Sequence, residues 1–409
     1  MLLNRPIIKS ILDEDKYNLH MGNFFFHRFR GRRVKYTYKC RDFGIDFRPI
    51  YSDLEKQIQH LGDLKLTLDE AHWMSKNTLC SDEYIEFLLT SKILDPNNVA
   101  LRLVGTGGID LSYEGIPELE ILREVKILPI ISELRFLDVY KDNYAEVLAS
   151  TDEWVAEQVK WLSENAHPNL QFFEAGGRRR FSLERHEQVV NGLWTGLPKK
   201  ADGTPKYMMG TSNCMIGMKY GIPTFGTQAH QLYMFMQTVT HPALSQIKAL
   251  EDWHEFYEGK LSTALSDTLG DRKWDRDFSK RFQEMYDGQR QDSGNPSMWG
   301  RTRLDAYRRD GIDPKTKSFT FGDSLNWEKG NALTTEFSDD INVKLLIGTF
   351  ISNSLGHRFP NHKPLSQVAK MTWANGLPTC KLGADSDNAK TQCEDMNYLI
   401  FIKAAAQNY

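Results

Sequence analysis

His230 ends the stretch GTQAH, directly after a Gly-Thr turn. A histidine there can serve as a general base or as a covalent nucleophile. By itself it reads first as a hydrogen-bonded polar residue opening a helix. Its neighbours along the chain give the chemical reading more weight. GGRRR brings Arg178, whose planar guanidinium can take a carboxylate or phosphate through two hydrogen bonds. GTSN brings Thr211 and Ser212, small groups that cap a helix or, with backbone N–H donors, hold an anion. LSDT brings Asp267, RQDSGNP brings Arg290 and Asp292, and FGDS brings Gly322 and Asp323. IGTF brings Gly348 and Thr349, whose N–H groups at a helix start suit a phosphate. Together these groups suit a sugar phosphate. Carboxylates bind ribose hydroxyls or Mg2+, backbone N–H groups take phosphate, and arginines neutralise a pyrophosphate or a carboxylate. Residue type and spacing lead to a phosphate-handling α/β enzyme with no named reaction.

Each of these groups stands at the end of a short strand-like run: LQFFEAGGRRR, KYMMGTSN, PTFGTQAH, LSTALSDT, EMYDGQRQDSG, KSFTFGDS and VKLLIGTF. Runs of this kind separated by helix-like stretches predict an α/β barrel, in which chemistry gathers at the C-terminal strand ends. A doubly wound sheet is the alternative, but polar endings on nearly every strand weigh against a single switch point. The chain before residue 170 mixes both periods. SDLEKQIQHLGDL and TLDEAHWMSKN have helical spacing, whereas VKYTYKCR, VALRLVGTGGIDLSYEG and LEILREVKILP read as strands of a small sheet. GTGG (Gly105 to Gly108) lacks the Lys-Ser/Thr ending of a phosphate loop and reads as a turn. The stretch from Ile131 to Ala166 predicts one or two long helices.

The 409 residues, 40% of them hydrophobic, can bury one large core and a smaller second one. A net charge of -3 gives no reason to expect a nucleic-acid partner held by bulk charge. No apolar run reaches the roughly 18 residues that a membrane span needs. Asn4, Arg5 and Lys9 interrupt any signal-peptide core at the N-terminus. The 5 cysteines are scattered without metal-ligand spacing and read as reduced thiols of a cytoplasmic protein.

In order, these motifs resemble those of the nicotinate phosphoribosyltransferase family over nearly the whole chain. ILDEDKYNLHM (Ile11 to Met21) is similar to the family's LLDTDxYKLHM, and YKCR, ending at Arg41, is similar to FxCR. IISE ends at Glu133, and GRRRFS, GTSN, GTQAH, RxDSGxPxxWG, GIDPxxKxxxF, IGT and KPLxxVxKMTxxNGxP follow. The resemblance implies an irregular TIM-like α/β barrel (136–385), an N-terminal α+β sandwich domain (1–135) joined by part of the tail, and a C-terminal segment (386–409). It implies the ligase-type reaction of nicotinate with phosphoribosyl pyrophosphate, giving nicotinate mononucleotide and pyrophosphate in NAD salvage. ATP hydrolysis would be coupled to it through a phosphohistidine at His230, with Mg2+. Tyr17 would stack on the pyridine and Arg41 would contact phosphate, both donated by the neighbouring subunit of a homodimer. Arg178 and Arg290 would face the ring carboxylate and the phosphates. Asp292 and Asp323, the latter beside Gly322, would hold ribose hydroxyls, and Gly348 and Thr349 would hold the 5′-phosphate. Ser212, beside Thr211, would favour nicotinate, because the nicotinamide enzymes carry an Asp there.

Some positions depart from the family pattern. Ala175 stands where relatives have a ring-stacking Phe, so Phe173 or another aromatic would have to replace that face. Asn18 replaces a Lys, Asn295 an Asp and Phe350 an Asn. Asn388-Ala389 replaces Pro-Gly in a region tied to ATP coupling. Gln231 replaces a Glu beside His230, which makes Asp267 the expected ionised partner. These departures keep a second reading open: a diverged member using nicotinamide or another ring, or a non-catalytic binding module.

Overall fold

The computed structural model describes residues 5–385 and 390–408; Asn388 and Ala389 lie outside them. Three early strands, β1 (Val34–Cys40), β2 (Val99–Val104) and β3 (Gly108–Gly115), belong to an antiparallel sheet. Six parallel strands follow: β4 (Phe172–Glu174), β5 (Met208–Thr211), β6 (Thr263–Leu265), β7 (Gly288–Gln291), β8 (Ser318–Phe321) and β9 (Asn342–Ile347). The chain then returns to the first sheet with β10 (Gln367–Ala374) and β11 (Leu377–Pro378). The sheet orders are β11-β10-β1-β3-β2 and β5-β4-β9-β8-β7-β6.

β1 explains its own place. Val34, Tyr36 and Tyr38 alternate with less buried residues, so one face meets the core and the backbone ladders to β3 and β10 on either side. In the parallel sheet, the Pro223–Thr227 stretch fills the space between edge strands β5 and β6. Thr224 bridges to Thr211, Phe225 N–H donates to Thr211 O at 3.2 Å, and the Thr227 hydroxyl donates to Thr263 O at 3.2 Å. This stave closes an irregular α/β barrel. PTFGTQAH is therefore not a strand: it makes one isolated bridge to β5, and its backbone then turns into the helix His230–Met236.

LEILREVKILP also departs from its strand reading. It forms the short turns Pro117–Glu120 and Ile121–Arg123 and the first part of the helix Glu124–Val139. Residues 124–134 of that helix are buried on every side, so the sequence shows no polar face. A continuous apolar run cannot be told from a buried strand by period alone. The rest of the long helical stretch breaks into Tyr144–Ala149 and Thr151–Asn165. GTGG is the β2–β3 turn, and TLDE starts the helix Leu68–Asn77 with a capping box between Thr67 and Glu70.

Buried polar pairs fasten the N-terminal segment to this frame. Lys126 donates from Nζ to Ile11 O (3.1 Å), Asp13 O (2.6 Å) and Glu14 Oε2 (2.9 Å). Arg180, just past β4, holds Asp13 through two bonds of 2.7 and 2.8 Å, and both residues are fully buried. Among the described residues, no helix is long and apolar enough to cross a membrane.

Candidate active site

A cavity of about 580 Å³ opens at the C-terminal ends of the parallel strands. It gathers Tyr17, Arg41, Arg178, Ser212, His230, Arg290, Asp292, Gly322, Asp323, Gly348 and Thr349 in one lining. Thr211 and Asp267 stand behind that wall. The Thr211 hydroxyl donates to buried Glu174 at 2.6 Å, because the pleat turns it away from the cavity that Ser212 faces. Thr211 is therefore a support, contrary to its expected substrate contact.

Tyr17 and Arg41 reach this cavity from within the same chain. Their distance in sequence from the barrel does not call for a second subunit, since backbone bonds bring the early segment to the strand ends. Lys16 N–H donates to Ser212 O at 2.9 Å, Cys214 N–H to Glu14 O at 2.9 Å, and Asp15 bridges to Asn213. Gly226 passes so close to Tyr17 N that a Cβ there would collide with the backbone. Arg41 N–H donates to Ser366 O at 2.7 Å, which sets the end of β1 beside the entry to β10.

His230, 3% exposed, opens the helix His230–Met236. Its Nε2 lies 2.8 Å from Asp267 Oδ1 and its Nδ1 lies 3.9 Å from Asp292 Oδ2. Asp267 is tied on its other oxygen to Lys381 Nζ at 3.0 Å and accepts from Ser293 Oγ at 2.5 Å. Burial and then the Lys381 cation push the His230 pKa down to about 4, against the pull of Asp267. Burial raises the Asp267 carboxyl, but Lys381 and His230 outweigh it and hold it well below the usual carboxylate range. A neutral imidazole beside an ionised Asp267 donates from Nε2, which leaves the Nδ1 lone pair facing Asp292 and the cavity. Gln231 takes no part in this relay; its amide donates to Glu124 Oε2 at 2.7 Å.

Cations ring the remaining cavity. Arg290 approaches Asp292 Oδ2 at 3.6 Å, and Arg178 lies 3.8 Å from Asp15 Oδ2 and 3.5 Å from Glu124 Oε1. Lys344, Lys370, Lys381 and Lys390 also line it. Burial pushes Lys370 down to about 8 despite its Glu124 partner. Lys390 pairs with Asp323 at 2.6 Å. Asp323 and Ser324 both hold positive φ, 60° and 55°, a strained pair where β8 ends. The β4 and β9 loops touch: Ser352 Oγ donates to Gly176 O at 2.8 Å, and a Cβ on Gly348 would come within 2.8 Å of Ala175 O.

The side chains at the departures from the family pattern have settled places. Ala175 leaves room in the lining, and Phe173 and Phe225 stand there with ring centroids 4.0 Å apart. Phe350 packs edge-on to Trp154 and Trp327. Asn18 donates to Glu14 at 2.8 Å, and Asn295 caps the helix Pro296–Arg309. Ser212 donates its only hydroxyl hydrogen to Asp15 Oδ1 at 2.6 Å, and Arg178 lies 3.8 Å from the other oxygen of that carboxylate. Sequence reasoning missed Asp15, Phe225, Lys381 and Lys390. Asp15 and Phe225 lie inside quoted motifs, ILDEDKY and PTFGTQAH, and were legible there as an acid and an aromatic. Lys390 directly follows Asn388-Ala389 in the region tied to ATP coupling and was legible there as a cation, whereas Lys381 lies in no quoted motif.

Known proteins match the chain throughout. The model of the nicotinate phosphoribosyltransferase (NAPRTase) family matches residues 170–409, and the model of that family's N-terminal domain matches residues 12–132. A nicotinate phosphoribosyltransferase of Photorhabdus laumondii is 34% identical over 405 residues, 98% of this chain and 96% of that one. One of Verminephrobacter eiseniae is 33% identical over 406 residues, 97% of this chain and 98% of that one. The crystal structure of the Vibrio cholerae nicotinate phosphoribosyltransferase superposes with a TM-score of 0.89 at 28% identity, covering 99% of this chain and 95% of that one. That of Porphyromonas gingivalis gives 0.87 at 25%, covering 98% and 100%.

Proposed function

The chain belongs to the nicotinate phosphoribosyltransferase family, and we propose that its cavity joins nicotinate to phosphoribosyl pyrophosphate with ATP hydrolysis coupled through phosphorylation of His230. The observation that carries the ATP-coupled part is the His230–Asp267–Lys381 relay, whose free Nδ1 faces a cation-lined cavity. A neutral imidazole can attack a γ-phosphoryl group: the N–P bond forms as the bond to the ADP oxygen breaks. Asp267 then stabilises the ring by holding Nε2–H. In the glycosyl step the pyridine nitrogen attacks C1 of the ribose and pyrophosphate leaves. Asp292, in the cavity lining, would stabilise the oxocarbenium-like centre, and Arg290 and the lysines would take the departing charge.

Tyr17, Phe173 and Phe225 give the pyridine its aromatic walls, with Arg178 as partner for the ring carboxylate. His230, Asp267 and Asp292 bring ligand atoms within 4.8 Å of one another, and of these the carboxylate of Asp292, which lines the cavity, suits Mg2+ carried by the phosphates better than the imidazole does. Such an ion would neutralise phosphate charge during transfer. The reading divides the chain into a first unit (1–135), a barrel unit (136–385) that lends β10 and β11 to it, and a terminal segment (386–409). The family likeness carries a homodimer into this reading as well.

The test is an assay with phosphoribosyl pyrophosphate and labelled nicotinate, with and without ATP, and a parallel arm with nicotinamide. Nicotinate mononucleotide is expected, with more formed when ATP is present. No mononucleotide in either condition would sink the proposal, and use of nicotinamide alone would move it to the other ring.

A further inference from the structure

Two of the free cysteines face each other beside the site, and no step above uses them. Lys381 and Gln392 form an antiparallel bridge and exchange both backbone bonds: Lys381 N–H to Gln392 O at 2.9 Å, and Gln392 N–H to Lys381 O at 2.7 Å. The next pair outward in that register is Cys380 and Cys393. It is a non-hydrogen-bonded pair, in which Cα atoms stand about 4.5 Å apart and the side chains share a face. Disulfides span Cα separations of roughly 4.4–6.8 Å. The two side chains pack in one cluster with Leu269, Leu382, Tyr398 and Ile402, and the Cys393 thiol donates to Asp395 O at 3.2 Å. Cys380 is buried and its backbone is clamped by the Gln237 amide, which donates to Cys380 O at 2.7 Å and accepts from Cys380 N–H at 2.9 Å. Cys393 is only half-buried.

We propose that Cys380 and Cys393 are a redox-active pair that closes to a disulfide under hydrogen peroxide and ties down the strap 380–385, which bears Lys381. The Cys393 thiolate, on the less buried of the two sulfurs, attacks the peroxide; a sulfenic acid forms and hydroxide leaves. Cys380 gives up its proton and attacks that sulfur, expelling a second hydroxide as the S–S bond forms. The two released protons make these hydroxides water. Two thiols and one peroxide thus yield one disulfide and two waters, and two electrons pass from sulfur to peroxide oxygen. Described residues beside the two cysteines reach the site at several points: Lys381 to Asp267 (3.0 Å), Lys390 to Asp323 (2.6 Å), and Ala384 N–H to Ser293 Oγ (2.8 Å). Joining Cys380 to Cys393 keeps those contacts made and slows exchange through the cavity. That catalytic consequence rests on the function proposed above; the thiol pairing does not.

The test treats the full chain with a small excess of hydrogen peroxide, alkylates it, digests it without reductant and maps the peptides by mass. The expected product is a Cys380–Cys393 link lighter by two hydrogens, with the five titratable thiols falling to three and dithiothreitol restoring all five. Cys380→Ser should leave Cys393 as a sulfenic acid that dimedone traps, and Cys393→Ser should abolish the link. A link through Cys40, Cys80 or Cys214, or Cys393 driven to sulfonic acid with Cys380 still free, overturns the pairing. Turnover of nicotinate should fall several-fold on oxidation and recover with dithiothreitol. Equal turnover in both states overturns the tie-down. A chain that forms the link but makes no mononucleotide in either state refutes the proposed function and leaves the pairing standing.

Discussion

His230 and Asp267 are 2.8 Å apart through Nε2 and Oδ1, and that one bond fixes which imidazole nitrogen is free for chemistry. Asp267→Asn keeps the shape but loses the charge, and it leaves Lys381 without its carboxylate. ATP-dependent turnover should drop by roughly 100-fold or more, the usual scale for a misassigned acid–base partner. The slower ATP-independent transfer should persist. Radiolabelled phosphate retained on the protein, compared in both forms, checks this; equal labelling counts against the relay.

Burial and Lys381 hold the His230 pKa near 4, and this sets the acid limit of phosphorylation. A group with a depressed pKa stays unprotonated until the pH falls through the folded value. His230 therefore stays a nucleophile through the range in which a free histidine would take up its proton, about pH 6.5. The acid limb of ATP-coupled turnover should fall below about pH 5. Lys381→Met removes a cation that lowers the His230 pKa, so the limb should move to higher pH. A pH–rate profile of both forms reads the shift, and a move to lower pH contradicts the assignment.

Ser212 shares a hydrogen bond with Asp15 at 2.6 Å. Ser212→Asp places a second carboxylate there, against both Asp15 and the carboxylate of nicotinate. KM for nicotinate should rise at least about 10-fold, equivalent to roughly 1.4 kcal/mol. Competition between nicotinate and nicotinamide measures it, and an unchanged preference removes Ser212 from substrate choice.

Phe225 stands beside Phe173 at the place that Ala175 leaves open. Phe225→Ala should weaken ring binding by about 1–3 kcal/mol, the scale of one stacking face. The loss should appear in KM more than in kcat, because ground state and transition state share the contact. Isothermal titration with nicotinate gives a second reading.

Gly348 lets the β9 loop lie against Ala175 O, and an added Cβ would come within 2.8 Å of that backbone oxygen. Neither loop can yield without moving the strand ends that shape the cavity. Gly348→Ala should cost about 1–3 kcal/mol of stability and weaken phosphoribosyl pyrophosphate binding together. Urea unfolding paired with a substrate titration distinguishes this from a purely local effect.

The parallel strands and their polar endings were legible because each follows the same local rule, a short apolar run closed by small or charged residues. PTFGTQAH obeyed that rule without pairing as a strand, since its hydrogen bonds depend on β5 and β6 and not on its own residues. LEILREVKILP misled for the opposite reason: a helix buried on every side has no period to display. At the site, His230 and Asp267 carried recognisable chemistry, whereas Lys381 gains its meaning only from the strap that brings it to Asp267. Tyr17 lies far along the chain from the barrel, and the backbone bond between Lys16 and Ser212 that brings it to the cavity has no local signal in either motif. Sequence separation says little about distance once β10 returns to lie beside β1.

That return has a consequence for synthesis. β1 sits between β3 and β10, and β10 is made only after all six parallel strands. While the ribosome is still adding the barrel, β1 has one neighbour and one bare edge of unpaired N–H and C=O groups. The nascent chain therefore carries an open template for wrong pairing until Gln367–Ala374 emerges. Chains halted before that point keep the edge of β1 unpaired on the side that β10 would cover.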